Sequence, residues 1–526
     1  MSKFHSIISR REFMKALGLA GAGVGAAAAL APTFHDIDEL ISSGSPGWKR
    51  PWWVKEKDEP TVEIDWSQIK RFDHRLTSHS NYVNAQHWGA DEWKKILAEQ
   101  KQYAIDSLGK KGFTVRDYAL NAGGHVFRTI GSRNTFLGVL QTPTNENILG
   151  PGIGLPKWQG TPEENSKMIR AVAKTFGAAQ IGCAHLGPDE RKLIYTYNRT
   201  GPTGSSTGAN WIDGPWPPPA GNWRKFDFED VAVGYETPDG QRCVLPNGDL
   251  WDVSVCIQMS RPGWRTISFD PGGKSTIAAD SNDARYRMFH ESILPGLQTF
   301  LWGIGYHGYG YCSRVQASSK PGQLPTIIAD QPGGLMPAEA GAVLSGQGEM
   351  GRSSEVTITP EFGPVSGFYS ILTDLPLASS KPIDAGIFRF CHSCRKCADS
   401  CPAQAISFDA EPSWEIPRWD YKVPSLDNNP GKKLFWTDLT SCQATRGRTG
   451  CIQCRPICAF NTHDAAMIHQ LVRATAATTG MFNSFFYQMS KSFDYGFVDA
   501  EDWWDIAPGL PSWGVDNTLN AWNAAD

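Results

Sequence analysis

The sequence predicts a mixed α/β chain (α/β of the α+β kind) ending in a compact cysteine-rich module, and three observations predict it. Helical and strand-like apolar patterns alternate between about residues 91 and 301. Eight of the twelve cysteines crowd into two short runs between Cys391 and Cys458. With 526 residues, 40% hydrophobic and 11% aromatic, the chain also carries enough apolar side chain for a sizeable core and a second module.

In chain order, a Pro- and charge-rich linker runs to about Gln68. Asp91 is then placed to cap a helix towards Leu108, with Trp93, Ile96 and Leu97 on one face. Thr161, Pro162 and Glu164 form a capping box with proline at the first helical position, opening a helix that stops near Gly177. Gln180 to Leu186 reads as a buried strand. Residues 198 to 224, rich in Gly, Pro, Thr and Trp, read as a long loop. Trp251 to Met259 is a further strand, and a helical pattern begins at about Ser281, with Pro295 kinking or breaking it. A loop-rich insert spans Ser318 to Pro337, a short helix begins at Ala338, and His463 to Ala477 is helical again. The clusters Pro51-Trp52-Trp53 and Trp211 to Trp223 suit either an apolar cavity or loop packing.

The cysteine runs carry the chemistry. Cys391, Cys394, Cys397 and Cys401, followed by Pro402, are spaced C-x2-C-x2-C-x3-C-P. That spacing lets three thiolates wrap one iron–sulfur cubane while the fourth reaches a second. Cys442, Cys451, Cys454 and Cys458 form a second run with its first member displaced outward. Exchange of the fourth ligands predicts two [4Fe-4S] sets: Cys391, Cys394, Cys397 with Cys458, and Cys442, Cys451, Cys454 with Cys401. Zinc prefers two separated pairs. A disulfide framework would spread its cysteines along the chain. Cys183, Cys243, Cys256 and Cys312 read as small buried hydrophobes.

Ser9-Arg10-Arg11-Glu12-Phe13-Met14-Lys15 ahead of the apolar stretch Ala16 to Ala31 reads as a twin-arginine export signal over residues 1–31. This route moves folded proteins, which suits a chain loaded with clusters in the reducing cytoplasm. The expected location is the outer face of the cytoplasmic membrane, peripherally. A net charge of −4 and pI near 6.3, with no basic run interleaved with aromatics, exclude nucleic acid as a partner.

The twin-arginine start, Phe176-Gly177-Ala178-Ala179, Thr359-Pro360-Glu361-Phe362-Gly363-Pro364, Thr373-Asp374-Leu375-Pro376-Leu377, Lys381-Pro382-Ile383-Asp384 and Phe390-Cys391 resemble the catalytic subunit of respiratory reductive dehalogenases. The resemblance spans nearly the whole chain, weakest from 195 to 250. It implies a nitroreductase-like corrinoid and substrate domain (161–385) after an N-terminal region (32–160). A ferredoxin-like two-cluster domain (386–465) follows, then a tail packing on the body (466–526). It also implies a corrinoid bound without a protein histidine on cobalt, matching the lack of a D-x-H-x-x-G motif; His307, His463 and His469 are assigned no ligand role. The implied partners are a small organohalide, a small integral-membrane anchor subunit and an electron donor of the respiratory chain.

The resemblance further implies a catalytic tyrosine that begins the helix preceding the pair Gly305-Tyr306; Tyr286 stands at that place. A tyrosine stays protonated at neutral pH and can donate its proton, provided a cation stabilises the phenolate. Related enzymes can carry that cation, an arginine, where this chain has Gly367. Arg287, Arg314 and Lys320 are near in sequence, with Arg314 and Lys320 the first candidates. An accompanying asparagine has no match in Asp330-Gln331-Pro332-Gly333. Gly346, Gly348 and Arg352 are expected beside the corrinoid, because glycines admit close backbone approach. Two other readings stay open: a pure electron-transfer subunit, and an epoxyqueuosine-reductase-like corrinoid enzyme.

Overall fold

A computed structural model describes residues 50–117, 119, 136–138, 154–199, 211–213, 215–217, 223–267, 275–310, 316–318, 326–328, 334–417, 426–462, 467–492 and 497–505. Arg314, Lys320, Cys312, His463, Asp330 to Gly333 and the export segment lie outside these residues.

Helix α1 spans Ala90–Ser107, with Gly89 rather than Asp91 at its N-cap; Asp91 instead complements the first-turn dipole. Helix α2, Pro162–Thr175, starts as expected. Thr161 Oγ1 accepts from the Glu164 backbone N–H at 3.2 Å, and Glu164 Oε2 accepts from the Thr161 N–H at 2.8 Å. Strand β1 follows at Gln180–His185, and β2 (Arg224–Glu229) and β3 (Arg242–Pro246) form the parallel centre of a small four-stranded sheet. Strand β4, Trp251–Gln258, precedes helix α3, Thr276–Met288, which begins earlier than its apolar pattern suggests because Ser275 caps it. A π-helical turn at Phe289–Ile293 joins α3 to α4, Leu294–Gly303. Proline at 295 has no N–H to give the preceding turn, and the wider turn absorbs that loss without ending the helix.

Strand β5 is Gly308–Tyr309, helix α5 is Ala338–Leu344 and strand β6 is Ser366–Thr373. The central sheet has the order β1-β4-β6-β5 and is antiparallel throughout, with Gly367 of β6 opposite Ile257 of β4. Both faces are buried, one of them apolar and the other carrying the buried polar residues Asp252, Ser254 and Gln258 of β4. Val253, Val255, Ile257, Tyr369 and Ile371 face α2, α3 and α4. On the other side Cys256 and Phe368 pack against Ala342 of α5.

The cysteine module follows with α6 (Ile387–Ser393) and α7 (Leu439–Thr449), and the chain continues through α8 (Met467–Thr478) and α9 (Asn483–Ser492). Trp93 and Ile96 of α1 pack on Ala444 of α7, so the amino-terminal region braces the second cysteine run. Trp53 joins Phe390, Cys394 and Phe460 in the module's core, while Trp52 is exposed. The described part of the tail docks on the body: the buried Lys396 ammonium donates to Ser490 O at 2.9 Å. Among the described residues no helix is long and apolar enough to cross a membrane.

Glu349 positions the first cysteine helix. Its buried carboxylate accepts from the backbone N–H groups of Ala385 (2.7 Å), Ile387 (3.1 Å) and Phe388 (3.3 Å), filling the donors that the start of α6 leaves open. Burial still pushes its pKa up to about 7. Glu349→Ala is expected to destabilise the protein by about 1–3 kcal/mol, because the abandoned donors are out of reach of water. Urea unfolding followed by circular dichroism checks this.

Candidate active site

A cavity of about 450 Å³ opens between the sheet domain and the cysteine module. Its size falls in the range of small-molecule and cofactor sites. Ile64, Ile69, Val343, Leu344, Leu434 and Leu439 supply an apolar wall. Polar groups converge from separate elements: Arg285 and Tyr286 from α3, Glu339 from α5, Arg446 from α7, and Asp427 and Arg455 from the cysteine module. Burial pushes the Asp427 carboxyl up to about 7, leaving it part-neutral at physiological pH.

Tyr286 sits in the last turn of α3, not at the start of a helix as expected, and its ring is held edge-on by Tyr369 (6.1 Å, 77°) and parallel to His290 (6.3 Å). Its Oη accepts a hydrogen bond from Arg285 Nη2 at 2.8 Å. Burial opposes the Arg285 charge, but Tyr286, Tyr369, Glu339 and Asp283 around it raise its pKa above the ordinary value. Arg287 turns elsewhere and pairs with Asp280 at 2.9 Å. Among the described residues the cation on the phenol is Arg285, which the sequence reading did not consider. The readable signal was Gly367: a Cβ built there would lie 2.5 Å from Arg285 Cδ, so the missing side chain is the room that Arg285 occupies.

The cysteines lie in two adjoining neighbourhoods. Electrostatically, Cys391 senses Cys394 and Cys458, and Cys458 senses Cys394 and Cys397. Cys442 senses Cys454 and Cys451, and both Cys451 and Cys454 sense Cys401. Cys397 also senses Cys454, so the two groups adjoin. A void of about 30 Å³ is lined by Cys391, Cys394, Cys397, Cys454 and Cys458. Burial raises the pKa of Cys391, Cys394, Cys397, Cys442, Cys451, Cys454 and Cys458, so thiolates here need a positive partner such as iron. Among the described residues no three His, Cys, Asp or Glu side chains converge on a point as a single ion requires. A cubane takes its sulfurs around a cage instead.

The second group lies against the cavity. Cys442 senses Glu355 and Arg446, and Cys454 senses Arg455 and Glu355; all three of these neighbours are cavity wall. None of the eight cysteines is itself among the residues that line the cavity; the second group reaches it only through these neighbours.

Gly346, Gly348 and Arg352 do not reach the cavity, and their expected place beside a cofactor is corrected. Gly346 has φ +72°, and a Cβ there would meet Lys381 O at 1.9 Å; one at Gly348 would meet Ile358 O at 2.6 Å. These glycines admit neighbouring backbone. Arg352 is 1% exposed and donates to the carbonyls of Cys391 (2.7 Å), Cys394 (2.9 Å), Ser407 (2.8 Å) and Asp409 (2.9 Å), with its guanidinium 4.0 Å from the Phe435 ring centroid. It holds the loop of the first cysteine group. Two histidines not weighed from sequence do line the cavity: His74, stacked on Tyr195 at 4.1 Å, and His79, whose Nε2 lies 3.1 Å from Arg446 Nη1. Burial lowers both well below the usual imidazole range, so both are neutral. His307 pairs with Asp374 at 2.7 Å, away from the cavity.

A tyrosine paired with an arginine in a cavity backed by a cysteine-rich module suits redox chemistry. Residues 49–377 match the family model described as reductive dehalogenase subunit, and the chain belongs to the reductive dehalogenase family. It is 31% identical to a chloroethene reductive dehalogenase of Dehalococcoides mccartyi strain VS, over 96% of this chain and 98% of that one. It is 30% identical to a trichloroethene reductive dehalogenase of D. mccartyi strain ATCC BAA-2266 / KCTC 15142 / 195, over 95% and 97% of the two chains. The solved catabolic reductive dehalogenase NpRdhA shares the fold at TM-score 0.52 and 17% identity, covering 84% of this chain and 49% of that one. The protein is thus a reductive dehalogenase, acting on carbon–halogen bonds. The family match lies ahead of the cysteine runs, in the part that an electron-transfer role alone would leave without chemistry.

Replacing Arg352 with Leu is expected to cost on the order of 3 kcal/mol, because several buried carbonyls lose a charged donor at once. Iron should be lost mainly from the group holding Cys391, and iron analysis with low-temperature EPR checks it.

Proposed function

We propose that the protein is the terminal reductase of organohalide respiration, removing halide from a small chlorinated alkene. The carrying observation is that one cavity holds the Tyr286–Arg285 pair on one side and touches the neighbours of the second cysteine group on the other. The two relatives named for chloroethenes, matched end to end, support that substrate class.

The two [4Fe-4S] clusters would use Cys391, Cys394, Cys397 and Cys458, and Cys442, Cys451, Cys454 and Cys401. The shared wall of Glu355, Arg446 and Arg455 supports the second set as the inner cluster. Electrons would enter at the first set and leave from the second. On this reading residues 161–385 would form the nitroreductase-like module and 386–465 the ferredoxin-like one. Export through residues 1–31, an integral-membrane anchor and a respiratory donor complete this reading.

The cavity suits a corrinoid. Its apolar wall matches a macrocycle face, and buried polar atoms without partners among the described residues, His74 Nδ1 and Asp427 Oδ2, suit the amide fringe. His74, Tyr195 and Asp427 would hold that fringe. His74 lies flat on Tyr195 and His79 is engaged by Arg446, which supports cobalt without a protein histidine. Bound there, the corrinoid supplies a low-valent cobalt for reductive carbon–halogen cleavage.

Replacing chlorine by hydrogen consumes two electrons and one proton and releases chloride. Tyr286 would give the proton from Oη to the carbon and recover it from solvent. Apolar residues around the cavity keep water from competing.

Chloride release from a panel of chlorinated ethenes, driven by a strong reductant in anaerobically purified enzyme, tests the assignment. Release from at least one is expected; none from any sinks the substrate class. Tyr286→Phe should lower turnover by about 10²-fold or more while cofactor content holds. Full turnover in that variant would remove the acid role.

A further inference from the structure

We propose that Arg285 is the positioning cation of the proton donor, and that residue 367 is glycine so that Arg285 can lie there. This rests on the reading of Tyr286 as the acid.

The two residues are consecutive on α3, where side chains diverge around the helix. Arg285 nevertheless reaches back, with Nη2 at 2.8 Å from Tyr286 Oη and Cζ at 4.6 Å from the Tyr286 ring centroid. Its stem makes that return over β6. A Cβ at Gly367 would stand 2.5, 3.0 and 3.2 Å from Arg285 Cδ, Cβ and Cγ, the last two too near the helix backbone to swing aside. A glycine inside a sheet strand weakens the strand and marks close approach of another group. Here the approaching group is the guanidinium stem.

Arg285 Nε is buried without a hydrogen-bond partner among the described residues. The charged and titratable groups that face the pair are Tyr369 from β6, Glu339 from α5, Asp283 on α3, His290 from the π turn, and Arg455 and His79 across the cavity. Arg455 is committed to the carbonyls of Pro364 and Ser366 at 3.2 and 3.0 Å. Arg285 is thus the guanidinium that meets the phenol oxygen. When the proton passes from Oη to carbon, the phenolate left in a water-poor cavity is neutralised by a cation already in hydrogen-bond contact, with no rearrangement. Arginine suits this place because it stays charged when buried.

The test measures chloride release, solvent deuterium isotope effect and cofactor content in the holoenzyme for Arg285→Ala, Arg285→Lys, Gly367→Ala and Tyr286→Phe. Arg285→Ala is expected to lower kcat on the order of 10²-fold with KM little changed and a larger isotope effect. Added guanidinium ion, or lysine at 285, should restore part of the rate. Gly367→Ala should reproduce the loss through one methyl group, and it decides the matter if Arg285→Ala does not load its cofactors. In the Tyr286→Phe background, removing Arg285 should have no further effect. Wild-type turnover in Arg285→Ala or in loaded Gly367→Ala overturns the proposal, as does a loss that neither lysine nor guanidinium relieves. If Tyr286→Phe loses turnover while Arg285→Ala keeps it, only the role of Arg285 fails. If Tyr286→Phe keeps it, the acid reading itself has failed.

Discussion

The architecture depends on thiol groups from two distant runs being driven together inside the protein. Each run of cysteines contributes one member to the other's group, so neither can close around metal unless both segments are in place. Burial makes bare thiolates there unfavourable, and the iron of the proposed clusters would be the compensating charge. On the proposed ligand sets, folding of the module and metal loading would be one event. Residues from outside hold the frame: Glu349 seats the helix that carries Cys391, Arg352 ties its carbonyls, and α1 braces the helix that carries Cys442.

The same packing puts chemistry next to electrons. Glu355, Arg446 and Arg455 belong at once to the surroundings of the second group and to the wall of the cavity. Across that cavity the sheet domain presents a phenol and a guanidinium on a helix whose π turn re-aims its end. The glycine in β6 is what lets helix and strand come so close. A gap in one element becomes the seat of a charge from another, and the acid is held by packing rather than by a loop.

Much of this was legible in the chain. The capping box at Thr161 follows from a local rule that short-range sequence expresses directly. Other features were not, for physical reasons. The start of α3 escaped notice because Asp280, Ser281 and Asn282 are buried polar residues, so the apolar periodicity that marks a helix is absent there. Arg285 escaped notice because neighbours on a helix ordinarily point apart, and only a glycine on a strand 82 positions later makes the contact feasible. The glycines at 346 and 348 announced close approach without saying to what; the answer is backbone, not cofactor. Arg352 was placed beside the cofactor because a matching residue says nothing about which side of a loop it serves.

The most direct test of the central claim is the metal content of anaerobically purified protein, determined by mass spectrometry per polypeptide. Two cubanes and one macrocycle predict about eight irons and about one cobalt. Zinc in place of iron, or iron without cobalt, would contradict the account.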